Sequence, residues 1–191
     1  MRKKSKKRNK MIGVALVIIV LLFGIITVKF IQYEKIIEDT ERTWLITQYG
    51  PRDVNSMFYT LYGGKGQLIV VDGGWTEDAD FVRQTIKEMG GKVDAWILTH
   101  PHQDHIGAFN AIYSDLQGIE IKEVYTVDMP SPKLCQERAH WDSVDTYNDF
   151  LDLNVKNLKY VYPGDELNIC GLKVDIYNAY DEHVKEWFYD V

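Results

Sequence analysis

Residues 97–109 read ILTHPHQDHIGAF. The chain has five histidines, and three of them (His100, His102 and His105) fall within six residues here, together with Asp104. The preceding DAWIL is apolar and reads as a strand, whereas DHIGAFNAIYSDL sets its apolar residues at helical spacing. The cluster therefore stands where a strand hands over to a helix, the end of a strand at which α/β sheets collect ligands. In extended backbone, residues two apart project to the same side, so His100 and His102 can reach one cation. Pro101 fixes its own φ and favours an extended His100. Asp104 and His105 open the helix and can face a second cation. Imidazole and carboxylate without thiolate suit zinc, iron or manganese, in a site left open for water rather than a closed structural one. An isolated His-x-His is more often a solvated turn; the full HxHxDH at such a junction points to a metal.

Away from the cluster the chain divides by charge. Its net charge is −6, yet residues 1–10, MRKKSKKRNK, hold seven Lys or Arg and no acid, which leaves −13 on the remainder. A basic arm on an acidic body needs two explanations. Residues 11–28, MIGVALVIIVLLFGIITV, carry no charged side chain over eighteen positions. As a helix they would reach ~27 Å, near the hydrocarbon thickness of a bilayer. The expectation is a basic cytoplasmic arm at 1–10, a transmembrane signal anchor at 11–31 and a stalk at 32–43. The positive-inside rule then sends the acidic domain across the membrane of a single-pass protein. Secretion after signal-peptide cleavage is the alternative, disfavoured by the length of the apolar run and the lack of a small-x-small site after Thr27. Cys135 and Cys170 would then sit where a disulfide is permitted, although their spacing does not demand one.

From Trp44 the pattern is that of a folded domain, 44–191. WLITQYG, SMFYTLY and QLIVVDGG read as strands separated by turn signals, and TEDADFVRQTIKEMGG as a helix. KVDAWILTH and IKEVYTV read as further strands, residues 135–152 as helical, and LKYVYPGDELNICGLKVDIYNA as a hairpin-forming pair. Antiparallel strands first, then strand and helix in alternation, predict a layered α/β (α+β) domain.

THPHQDHIGAF resembles the signature of the metallo-β-lactamase superfamily, and LIVVDGGW resembles its upstream motif. The resemblance implies the first half to two-thirds of a four-layered αββα sandwich. It implies that His100 and His102 bind a first metal and Asp104 and His105 a second, that Asp72 supports the site, and that Asp104 shares in proton handling. Two Zn2+ ions are implied for a complete domain, with Mn2+ or Fe as alternatives. The family also uses a third histidine, a bridging aspartate and a last histidine, expected beyond residue 191, so the domain is expected to be incomplete, with one apolar sheet face bare, its metal weakly bound and the chain inactive alone. His140 and His183 are the remaining histidines; the first reads as a helix residue and the second as part of an acidic surface turn.

The implied activity is hydrolysis by metal-bound hydroxide. The order DGG, THPHQDHIGA, GDELNICGLKVDIYNA is most similar to extracytoplasmic hydrolase domains allied to bacterial DNA-uptake competence proteins, which suggests phosphodiester or nucleic-acid substrates. The −13 body argues against nucleic acid, because duplex-binding surfaces are basic, and leaves esters and lactones as the other class. A non-catalytic binding or sensing domain is the alternative to an enzyme.

Overall fold

The computed structural model describes residues 2–41, 43–50 and 57–180. The chain forms two compact units, Met1–Thr43 and Trp44–Val191. In the first, the arm, span and stalk expected as three segments are one helix, α1 (Arg2–Glu41). It contains no proline, and Gly13 and Gly24 are its only glycines. Among the described residues no helix is long and apolar enough to cross a membrane. The uncharged run begins at positions whose side chains lie outside the described set, and only 18–28 of it is described without a break before Lys29. The span expected at 11–31 is therefore not shown by these residues. Among the described side chains, Leu16, Ile19, Phe23 and Ile26 are more than half exposed.

The second unit is built on a six-stranded sheet. β1 (Trp44–Tyr49), β2 (Phe58–Gly63) and β3 (Leu68–Val71) form an antiparallel meander. A 3-10 turn (Thr76–Asp78) and α2 (Ala79–Glu88) lead on to β4 (Lys92–Val93) and β5 (Ala95–Leu98). There follow α3 (Gln103–Ser114), β6 (Glu120–Ile121), β7 (Val124–Val127), α4 (Pro132–Arg138), α5 (Val144–Asp152) and β8 (Leu158–Val161). β5, β7 and β8 continue the sheet parallel to β3, so its order is β1-β2-β3-β5-β7-β8. A hairpin of β9 (Glu166–Ile169) and β10 (Leu172–Asp175) completes the described part.

Two expected strands are each split. KVDAWIL changes partner at Asp94: Val93 pairs with Ile121 in a small parallel ladder of β4 and β6, whereas Ala95 pairs with Ile69 in the main sheet. Asp94 secures the switch, because its carboxylate accepts the Leu68 N–H at 3.0 Å and pairs with Lys122. IKEVYTV divides in the same way, for β6 and β7 are the partners of β4 and β5. The helix expected over 135–152 is also two, since Ala139–Ser143 leave helical geometry and Ser143 begins α5 from an extended conformation.

Period-two alternation assigns the strands' side chains to two cores. Leu68, Val70, Trp96, Leu98 and Val124 face the helices, meeting Val82 and Ile86 of α2, Ile106, Phe109 and Ile112 of α3, and Phe150 of α5. Ile69, Ala95, Tyr125 and Val127 face the other way and pack with Ile169 of the hairpin and Ala179. That second face was expected to lie bare, and the hairpin gives it a partial cover. Trp96 anchors the first core, fully buried and edge-on to Phe109 at 5.1 Å.

One contact fixes where α3 lies. A Cβ built on Gly107 would fall 2.6 Å from the Thr76 backbone nitrogen and 3.0 Å from the Trp75 carbonyl carbon. Glycine is thus the residue that lets the helix touch the loop after β3, where Ala108 N donates to Gly74 O at 3.0 Å. Replacing Gly107 by alanine is expected to lower stability by ~1–3 kcal/mol through overpacking against backbone, measured by urea denaturation of the full chain followed by near-UV circular dichroism.

Candidate functional site

β3 and β5 are neighbouring parallel strands, with Val71 opposite Ile97. Their following loops therefore leave the sheet at the same edge, side by side. The β3 loop begins with Asp72 in the left-handed region, φ 57°, a conformation that asparagine and aspartate tolerate better than other side chains. It is held on every side. Asp72 N donates to Ile97 O at 2.8 Å, and its carbonyl accepts the indole N–H of Trp96 at 2.9 Å. The buried carboxylate then takes three donors from the β5 loop and α3. Thr99 N donates to Oδ1 at 2.9 Å, and the Thr99 hydroxyl lies 3.0 and 2.9 Å from Oδ1 and Oδ2. His105 Nδ1 lies 2.8 Å from Oδ2.

A carboxylate only accepts, so His105 carries its proton on Nδ1 and presents Nε2 as a lone pair. The Thr99 hydroxyl spends its hydrogen on Asp72, so at 2.9 Å it accepts from His100 Nδ1, which leaves Nε2 of that ring free as well. One aspartate thereby orients two imidazoles, directly and through a threonine.

The sequence-expected residues come together as follows. The His100 and His105 rings lie 3.8 Å apart between centroids, and His100 and His102 4.6 Å apart. Asp104 Oδ2 is 3.6 Å from His105 Nε2. His102 is the N-cap of α3 in extended conformation, and its carbonyl accepts from the amides of His105 and Ile106. The closest ring pair is thus His100 with His105, from opposite ends of the motif. Among the described residues no three His, Cys, Asp or Glu groups surround a single point as a formed cation site; the imidazoles pack on each other. The donor chemistry nevertheless fits a borderline divalent cation, with lone pairs on two oriented rings, a carboxylate beside them and no thiolate.

Two groups escaped the sequence reading. Thr99 stands in the motif, but nothing in its spacing marks the hydroxyl as a bridge. Asp142 accepts the Gln103 amide at 3.3 Å and adds negative charge near His105; it lies far along the chain, beyond any local pattern. His140, expected as a helix residue, instead sits between α4 and α5 with its ring edge-on to Trp141 at 5.3 Å. His183 lies outside the described residues. Cys135 and Cys170 are both free thiols.

The family model described as the metallo-beta-lactamase superfamily matches residues 49–133, which include the Asp72 loop and the whole histidine motif. Over that stretch the chain is similar to the metallo-beta-lactamase superfamily. A hydroxyacylglutathione hydrolase of Aliivibrio fischeri (strain MJ11) is 29% identical over 121 residues, covering 61% of this chain and 46% of the relative. The RNase aCSPSF2 of Saccharolobus solfataricus is 26% identical over 137 residues, 68% of this chain and 27% of its own length. A crystal structure of a metallo-beta-lactamase from Staphylococcus aureus superposes with TM-score 0.46 at 13% identity, over 71% of this chain and 34% of that one. The chain spans less than half the length of these proteins. The similarity is to metallo-hydrolases, a superfamily that generally binds divalent metals such as zinc.

Burial and the charges of His105 and His102 push His100 down from 6.5 to about 4. Burial also pulls on His105, but the hydrogen bond and charge of Asp72, with Asp104 and Asp142, outweigh it and raise that ring above 6.5. In metal-free protein, His105 thus adds stability that is complete below its unfolded value and lost as pH rises through its folded one. His100 withdraws stability as pH falls from 6.5 towards 4. Imidazole 1H–15N titration is expected to give a His100 midpoint near 4 and a His105 midpoint above 6.5; Asp72→Asn should bring the His105 midpoint down.

Proposed function

We propose that the chain is a membrane-anchored, metal-dependent hydrolase whose divalent cations are held by His100, His102, Asp104 and His105. The observation that carries this reading is the buried Asp72 carboxylate joining the strand-end threonine to the helix histidine, which holds two imidazoles ready with Nε2 as the free lone pair. Zinc is the first choice of metal, with manganese or iron as alternatives. A bound cation of this kind supplies hydroxide near neutral pH by lowering the pKa of water from ~16 towards ~7. The chain's own residues do the rest. Asp72 is a positioning residue, fixing the tautomers of His105 and, through Thr99, His100. Asp104 takes the proton-handling role, supported by its half-exposed carboxylate on the first turn of α3 beside His105.

The substrate class lies between phosphodiesters and carboxylic esters or lactones. The relatives divide the same way, one being named a hydroxyacylglutathione hydrolase and another an RNase. The resemblance to competence-allied domains leans to phosphodiesters, and the acidity of the domain away from nucleic acid. A second reading, a domain that binds or senses without catalysis, is favoured by the packing of the imidazoles on each other rather than around a point.

Anchoring is supported by the basic arm, the uncharged run 11–28 and the exposure of α1's described apolar side chains. A helix apolar all round and uncovered has lipid as its fitting solvent. The arm would be cytoplasmic and the domain extracytoplasmic, with secretion after cleavage as the alternative. Full-length protein should stay with membranes after alkaline carbonate washing and leave them when residues 11–28 are deleted; release of the intact chain counts against the anchor.

The metal reading is tested by equilibrium dialysis of the full chain. Zinc should bind at more than one equivalent, Asp72→Asn should weaken it ~10–100-fold, and His102→Ala should abolish turnover of p-nitrophenyl acetate or bis-p-nitrophenyl phosphate. Less than one equivalent, or turnover untouched by His102→Ala, overturns it.

A further inference from the structure

A cavity of ≈ 470 Å³ opens beside the cluster, with Thr99, His100, Pro101 and His102 at one end. Its other walls are Val127 at the end of β7, Pro130, Leu134, Ala139 and Trp141 from the connection that follows, and Ala179. These are apolar or aromatic side chains, with the polar Asn178 beside them. Apart from the site histidines, Arg138 is the basic group in the wall, and it is already engaged. The volume falls in the range of small-molecule pockets. A nucleic-acid strand bound along this surface would need several cationic side chains to replace its counterions, and the lining does not supply them. An uncharged hydrocarbon would instead meet apolar walls on most sides, with its head directed at the imidazoles.

We infer that this cavity receives the acyl chain of the substrate, which is a carboxylic ester or lactone with an apolar acyl part. The inference rests on the hydrolase reading and narrows its substrate class. In the reaction a water-derived oxygen bonds to the acyl carbon and the acyl–oxygen bond breaks with its electron pair on the leaving alkoxide. The alkoxide takes up the proton from water, one water is consumed and nothing is oxidised or reduced.

The two free cysteines test the pocket independently of turnover, because Cys135 lines the cavity and Cys170 is exposed at the β9–β10 turn. Full-length protein in lipid nanodiscs, stripped of metal with chelator, is alkylated with N-ethylmaleimide with and without octanoate, and each site's rate is read by peptide mass spectrometry. At octanoate about four times its dissociation constant, Cys135 should react about fivefold more slowly while Cys170 keeps its rate. Equal slowing at both cysteines, or at neither, overturns the inference. With zinc restored, kcat/KM for p-nitrophenyl esters should rise about fourfold per methylene from acetate to octanoate, and Ala139→Phe, which fills the cavity, should flatten the series. A flat series in the unsubstituted protein, or turnover confined to bis-p-nitrophenyl phosphate, overturns the acyl assignment while leaving a hydrolytic site. Protection of Cys135 with no turnover of any ester under zinc or manganese overturns the hydrolase reading and the ester with it, leaving a pocket for apolar acids.

Discussion

A carboxylate buried to within a few per cent of complete exclusion from solvent must be answered by donors, or it unsettles the fold around it. Asp72 is answered by a backbone amide, a hydroxyl and an imidazole, drawn from the end of β5 and the first turn of α3. Its own backbone is pinned by Ile97 and Trp96 into a left-handed conformation that the surroundings over-determine. Such strain persists where several contacts enforce it, and it gathers at functional positions. The two loops and the helix are therefore not independent; each donor that satisfies Asp72 also sets the position of a site residue. The contact between Gly107 and Thr76 serves the same end from the far side of α3, letting the helix close on the loop that carries the aspartate.

Much of this was legible in the chain. The run LIVV, the motif THPHQDH and the amphipathic helices on either side followed from apolar periodicity, and so did the passage from an antiparallel meander to parallel strands. The points that were not legible are the ones set by partners distant in sequence. Asp94 interrupts a convincing apolar strand because two different neighbours claim its halves, and neither can be read from KVDAWIL itself. The break after Arg138 falls where the chain turns to bring Trp141 and Asp142 to the site, a tertiary demand that local propensity does not carry.

At the site, residue types announced the chemistry but not the contacts. Two histidines separated by one residue suggested a pair sharing a side, whereas the nearest rings are His100 and His105. The reason lies in the turn between strand and helix, which folds the end of the motif back over its start. Thr99 acquires its importance in the same way: it is an ordinary strand-end residue until the neighbouring strand delivers an aspartate beside it. Asp142 shows the limit more sharply, for a carboxylate so far along the chain reaches the helix start only through the packing of α5 on α3.

β3, β5 and β7 finish at one rim of the sheet, and each sends out a loop with a separate task. The first two carry the aspartate and the imidazoles, bound into one network that tolerates little change. The third, with the short helix that follows it, shares none of those hydrogen bonds and forms a mostly apolar wall. Variation confined to that third loop can thus exchange one guest for another while the reacting groups stay where they are, so the scaffold separates the evolution of selectivity from the preservation of chemistry.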